Sequence, residues 1–187
     1  VKAMRVFIAI EFEQHIKDYL NKIQKQVMSY STDGNFSRPE NFHLTLKFIG
    51  EVQPSFLGSI TAAMAQSVHG IKPFKLRLHN LGNFPRGNKM IIWMGVGGEL
   101  DVLNLLFNQL ETSLGSIGIA KDTRGYSPHI TLGREVRLAV PFSKVANAVA
   151  IDHQQQIIEV HKISLMESKR EEGRLMYIPL HRQPLAD

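Results

Sequence analysis

The sequence predicts an α+β fold, a single domain over residues 1–187, and three observations lead there. Helical and strand periodicities alternate irregularly along the chain, unlike the regular strand–helix repeat of a doubly wound parallel sheet. No glycine-rich phosphate loop opens any of the helical segments. No low-complexity stretch divides the chain in two.

Each element has its own signal. Arg5 to Ile10 reads as a buried strand. Phe12, Ile16, Tyr19, Leu20, Ile23 and Val27 then recur at helical spacing, and that helix should end before the polar stretch Tyr30 to Asn35. Phe42 to Ile49 follows as a strand. Strict alternation puts His43, Thr45 and Lys47 on one face, with Leu44, Leu46 and Phe48 on the other, in the core. Pro54 and Ser55 start a second helix, with Leu57, Ile60 and Met64 on its apolar side and a stop at Gly70. Phe74, Leu76 and Leu78 alternate with Lys75, Arg77 and His79 as a half-buried strand.

Leu81 to Lys89 carries glycines and a proline and is expected to be a loop. Met90 to Val96 is apolar on both faces, the signature of a central strand, which places Trp93 in the core. Leu100, Leu103, Phe107, Leu110 and Leu114 form the cleanest helical stripe, ended by Gly115 and Gly118. A loop from Lys121 to Pro128 leads into a strand at His129 to Leu132, and Val140 to Val149 has weak helical character. Ile157 to Met166 and Leu175 to Leu180 close the chain as two strands joined by the charged turn Ser168 to Gly173. Pro179 cannot donate to a ladder, which marks the last as an edge strand or one that ends there.

Composition narrows the chemistry. With 43% apolar and 21% charged residues, the chain can bury a sizeable core. It has no cysteine, which removes disulfides, thiolate nucleophiles and zinc–thiolate sites and fits a reducing cytoplasm. No apolar run approaches the roughly 20 residues of a membrane span, and Val1 to Ile10 lacks a leader's cleavage pattern, so no membrane partner is expected. The net charge of +5 admits either a plain solvated surface or attraction to a polyanion such as RNA.

The strongest internal similarity is short. Phe42-His43-Leu44-Thr45-Leu46 matches Pro128-His129-Ile130-Thr131-Leu132. In each copy the strand period puts histidine and threonine on one face. Cleaving a phosphodiester needs a base to activate the attacking oxygen and an acid to protonate the departing one. Histidine suits both roles, with an unperturbed pKa of about 6.5. Threonine hydroxyls can donate to nonbridging phosphate oxygens, and no metal or cofactor is then required. The pattern alone leaves three readings open: an acid–base pair, two histidines on solvated strand faces, or a metal site. The last lacks a carboxylate or cysteine in either motif and needs a further ligand such as His79 or His161.

The chain also carries Met4-Arg5-Val6-Phe7-Ile8-Ala9-Ile10, and the first motif extends through Asn41 to Gly50. Gly82-Asn83-Phe84-Pro85 and Ile92-Trp93 follow, then Tyr126 to Arg134, Ile163 to Ser168, and Gly173 with Tyr177. In this order, over nearly the whole chain, the segments resemble the 2H phosphoesterase superfamily. Within it they resemble the bacterial and archaeal RNA 2',3'-cyclic phosphodiesterases, also called 2'-5' RNA ligases. The resemblance implies a bilobal fold, with two pseudo-twofold-related lobes of antiparallel sheet and helices around a central cleft and one motif per lobe. It implies hydrolysis of a terminal 2',3'-cyclic phosphate to a 2'-phosphate. His43 would be the general acid, His129 the general base, and Thr45 and Thr131 the phosphate ligands. Two departures stand out. Arg86-Gly87-Asn88-Lys89-Met90 lacks the proline–arginine common before the Trp93 strand, and Tyr126 replaces a common phenylalanine.

Lys47, Arg77, Arg86 and Lys89 are candidates for an electropositive approach to RNA, and Tyr126 for stacking on a base. Parity puts Arg134 on the face opposite His129 unless a bend after Gly133 returns it to the phosphate. His15, His69, His153 and His181 receive no catalytic role. The expected partners are RNA ends or cyclic nucleotides, with no obligate protein partner and a monomer as the default. Reversible 2'-5' joining of RNA ends, action on a small cyclic phosphate, and a non-catalytic RNA-binding module remain the alternatives.

Overall fold

The structure is a computed structural model in which residues 1–152 and 156–187 are described; His153 lies outside them. The chain runs β1 (Met4–Glu11), α1 (Gln14–Ser29), β2 (Ser31–Phe36), β3 (His43–Val52), α2 (Leu57–Ser67), β4 (Phe74–Arg86) and β5 (Lys89–Gly98). It continues through α3 (Leu100–Gly115), β6 (His129–Leu138), α4 (Phe142–Ala148), β7 (Ile157–Val160), β8 (Lys162–Glu171) and β9 (Arg174–Pro184). The strands form two antiparallel sheets, ordered β3-β1-β8-β9 and β2-β6-β5-β4-β7, so the fold is α+β as predicted.

Each sheet carries one motif, β3 in the first and β6 in the second. The helices cross over. Gln24 of α1, which follows a strand of the first sheet, bonds the Leu132 carbonyl in the second. Glu111 of α3, which follows a strand of the second sheet, pairs with Lys47 in the first. Apolar residues of both sheets and of α1 to α4 merge into one core, including Ile8, Leu20, Leu44, Met64, Ile92, Leu106, Ile130 and Val145. A fully buried leucine or isoleucine contributes about 1.5–3 kcal/mol, so this shared core is what binds the two sheets together. Among the described residues no helix is long and apolar enough to cross a membrane.

Three expectations change. The polar stretch after the first helix is a strand, β2, paired with β6 from Ser31↔Leu138 to Phe36↔Gly133. Its side chains are mostly exposed, so the partner rather than apolar periodicity makes it a strand. Leu81 to Lys89 is not a loop but the far half of a β4–β5 hairpin that turns at Gly87, in the left-handed region at φ +64°. Gly82 is there for packing: a Cβ on it would stand 2.2 Å from the Trp93 indole, which lies across it. The segment Ile157 to Met166 divides at His161, and its halves join different sheets. Pro179 does lie in an edge strand, at a bulge where β9 skips a residue against β8.

Candidate active site

The motif strands share one inside–outside pattern. His43 and Thr45, like His129 and Thr131, are half-buried, while Leu44, Leu46, Ile130 and Leu132 are buried. The alternation then breaks in both. Against β1 the register runs Ala9↔Thr45 and then Ile8↔Lys47, leaving Leu46 over. Against β5 it runs Trp93↔Thr131 and then Ile92↔Gly133, leaving Leu132 over. A bulge of this kind turns two successive residues to the same side and resets the parity beyond it.

The bulges correct two assignments and resolve a third. Lys47 points inward, 8% exposed, with its ammonium 2.7 Å from Glu111 and donating to the Ala120 carbonyl at 2.9 Å, so it does not offer itself to RNA. Phe48 is not in the core: it is 52% exposed on the face of His43, with the Arg5 guanidinium 4.9 Å from its ring centre. Arg134, the counterpart of Phe48, is returned to the face of His129 and acts electrostatically on both His43 and Tyr177 across the cleft.

Each histidine is fixed by the chain just before it. His43 Nδ1 lies 2.8 Å from the Asn41 carbonyl, and His129 Nδ1 lies 2.7 Å from the Ser127 carbonyl. A carbonyl only accepts, so Nδ1 carries the proton in both rings and Nε2 is left for chemistry. His43 Nε2 sits 2.8 Å from the Thr45 hydroxyl. Two aromatic rings frame each imidazole. Phe7 and Tyr177 lie 4.9 and 5.0 Å from His43, and Phe84 and Trp93 lie 5.1 and 5.9 Å from His129. Trp93 is therefore half-buried beside His129 and Phe84 and not a core residue. Burial holds the His43 pKa below the ordinary 6.5; the Asn41 carbonyl opposes this, and the charges of Arg134, Lys17 and His129 reinforce it.

Tyr126 does not present its ring for stacking. The ring is stacked on Phe107 at 4.3 Å, and its hydroxyl donates to the Thr45 carbonyl at 3.0 Å. Arg86 is exposed at the tip of the β4–β5 hairpin and by parity shares the face of Phe84. His15 and His161 are exposed beside Glu13 and Glu159, each at 3.3 Å. Among the described residues no three metal-ligating side chains come together. The sequence gives no sign that Phe7, Phe84 and Tyr177 neighbour the histidines, because contacts between separate strands leave no local periodicity.

A family profile described as LigT-like phosphoesterase matches residues 10–93. The RNA 2',3'-cyclic phosphodiesterase of Methanocaldococcus jannaschii is 33% identical over 132 residues, covering 70% of this chain and 71% of that protein. That of Methanothermobacter thermautotrophicus is 30% identical over the same shares. The crystal structure of Escherichia coli LigT with 3'-AMP superposes over the full length of both chains with a TM-score of 0.80 at 24% identity, a likeness of fold. With the paired His-x-Thr strands, the family profile and the two curated relatives establish that the chain belongs to the LigT-like phosphoesterases of the 2H superfamily.

Proposed function

We propose that this enzyme hydrolyses the 2',3'-cyclic phosphate at an RNA end to a 2'-phosphate without a metal, with His129 as general base and His43 as general acid. The observation that carries the proposal is the pair of matching strands, one in each sheet, that bring His43 and His129 close enough for the charge of one to act on the other, with each Nδ1 locked by a backbone carbonyl so that Nε2 is the reactive nitrogen. His129 Nε2 takes a proton from water as its oxygen attacks phosphorus. The P–O3' bond breaks, and protonated His43 gives its Nε2 proton to O3'. The product carries a 2'-phosphate and a free 3'-hydroxyl, and exchange with solvent resets both rings.

The features that differ between the half-sites give the reaction its direction. Arg134 extends the His129 strand as a cation suited to nonbridging phosphate oxygens. Phe48 extends the His43 strand as an exposed ring suited to stacking on the terminal base. Thr45 and Thr131 donate to the phosphate. The lowered pKa makes His43 a strong but sparsely protonated acid in the free cleft. A bound phosphate anion offsets Arg134 and favours the imidazolium that the step consumes.

The test is turnover of a 2',3'-cyclic-ended oligonucleotide in excess chelator, with the position of the product phosphate identified. His43→Ala and His129→Ala should each cost about 10²–10⁴-fold in kcat while remaining folded. Full activity in either variant, or activity abolished by chelator and restored by a divalent metal, would overturn the proposal. Joining to an added 5'-hydroxyl acceptor would show the ligase direction, and a preference for free cyclic nucleotides would redirect the substrate to a small molecule.

A further inference from the structure

We propose that the two histidines are held at their working separation by a crossed pair of hydroxyl tethers, Tyr126 to the Thr45 carbonyl and Ser37 to the Thr131 carbonyl. The Tyr126 bond is 3.0 Å and the Ser37 Oγ bond is 3.2 Å. Tyr126 lies in the segment that leads into His129, and Ser37 in the segment that leads into His43. Each approach to one motif is therefore tied to the threonine of the other.

The open edges of the motif strands give these hydroxyls their acceptors. β3 is an edge strand of its sheet, so one side of its backbone has no ladder partner. β6 is paired on that side by β2 as far as Phe36↔Gly133, with one further backbone bond from the Ser37 amide to the Leu132 carbonyl at 3.0 Å, which leaves the Thr131 carbonyl beyond the end of the pairing. A backbone carbonyl in this position must find a donor, and in both strands a side-chain hydroxyl from the opposite approach supplies it.

A buried polar residue braces each tether from behind. Gln24 of α1, 3% exposed, donates to the Ser37 carbonyl at 2.7 Å and to the Leu132 carbonyl at 2.9 Å. Glu111 of α3, 6% exposed, accepts from the Asp122 amide at 2.8 Å and pairs with Lys47 at 2.7 Å. The two hold the same place in their helices: Ile16, Ile23 and Val27 surround Gln24 in the buried stripe as Leu103, Leu110 and Leu114 surround Glu111. Both braces join the approach to one histidine with the bulge beyond the other. Tyr126 and Ser37 touch neither imidazole in these bonds, and act through the strands as positioning residues.

The experiment rests on the functional reading above for one of its two readouts. Tyr126→Phe removes the hydroxyl and keeps the ring on Phe107. With 2',3'-cyclic AMP as probe, its kcat should fall about tenfold with KM within about twofold, and the melting temperature should stay within a few degrees. Ser37→Ala should act in the same direction, with Ser37→Thr restoring activity. The second readout needs no turnover. Nitrogen-15 NMR of the imidazoles should show the His43 ring signals shifted or broadened in Tyr126→Phe, although the lost hydroxyl bonds Thr45 and not the ring. Unchanged ring signals overturn the tether whatever the kinetics show. An active wild type with kcat unchanged in both Tyr126→Phe and Ser37→Ala also overturns it. A wild type that does not turn over the probe fails the functional reading instead, and the ring signals then decide the tether alone.

Discussion

At the residue scale, His43 carries the clearest electrostatic signature of the cleft. Burial and the charges of Arg134 and Lys17 hold its pKa below 6.5, so in the free enzyme it is mostly neutral at neutral pH. A general acid works only when protonated. The alkaline limb of kcat/KM should therefore be the one whose rate depends on its pKa. Lys17→Met removes one of the cations without touching Arg134, which raises the His43 pKa and moves that limb to higher pH. If His43 were instead the base, the same variant would move the acid limb and lose activity at low pH. The pH–rate profile of Lys17→Met against wild type thus assigns the two roles.

At the element scale, the bulges decide what each strand displays. Through Thr45 and Thr131 the period of two reads correctly from sequence, and both polar pairs share a face as expected. Beyond them it fails, because the extra residue at Leu46 or Leu132 shows only in the pairing with β1 or β5. That hid the inward turn of Lys47, the exposure of Phe48 and the return of Arg134. The helices were legible because their stripes are strong, as at Leu103, Leu110 and Leu114. β2 was not, because its form depends on β6. The inward turn of Lys47 has a measurable consequence. The Lys47–Glu111 pair is 8% and 7% exposed, so Lys47→Met strands a buried carboxylate and should cost about 3–5 kcal/mol. Lys47→Met/Glu111→Leu should recover part of that loss. Urea unfolding reads both, whereas an exposed lysine that contacted RNA would leave stability nearly unchanged.

At the scale of the whole molecule, the cleft is assembled by contacts far apart in sequence, such as Gln24 to Leu132 and Tyr126 to Thr45. The motifs announced a pair of half-sites, but nothing local announced how the halves cross. On the cleft face of the first sheet, three adjacent strands are cross-linked by one carboxylate. Glu11 of β1 accepts from Ser164 of β8 at 2.5 Å and from Arg182 of β9 at 2.8 and 3.1 Å. The Arg182 bond, opposed by burial and aided by Ser164 and by the charges of Arg182 and Lys162, holds the Glu11 pKa below 4.5. A carboxylate with a depressed folded pKa stabilises fully above its unfolded value and loses that contribution as pH falls through the folded one. Wild type should therefore exceed Glu11→Gln in melting temperature near neutrality and converge on it below about pH 4.5. The cluster is part-exposed, so solvent screening limits the difference to about 1 kcal/mol, or roughly 2–4 °C. A constant gap across that pH range would mean that packing around Glu11, and not its charge, ties the three strands together.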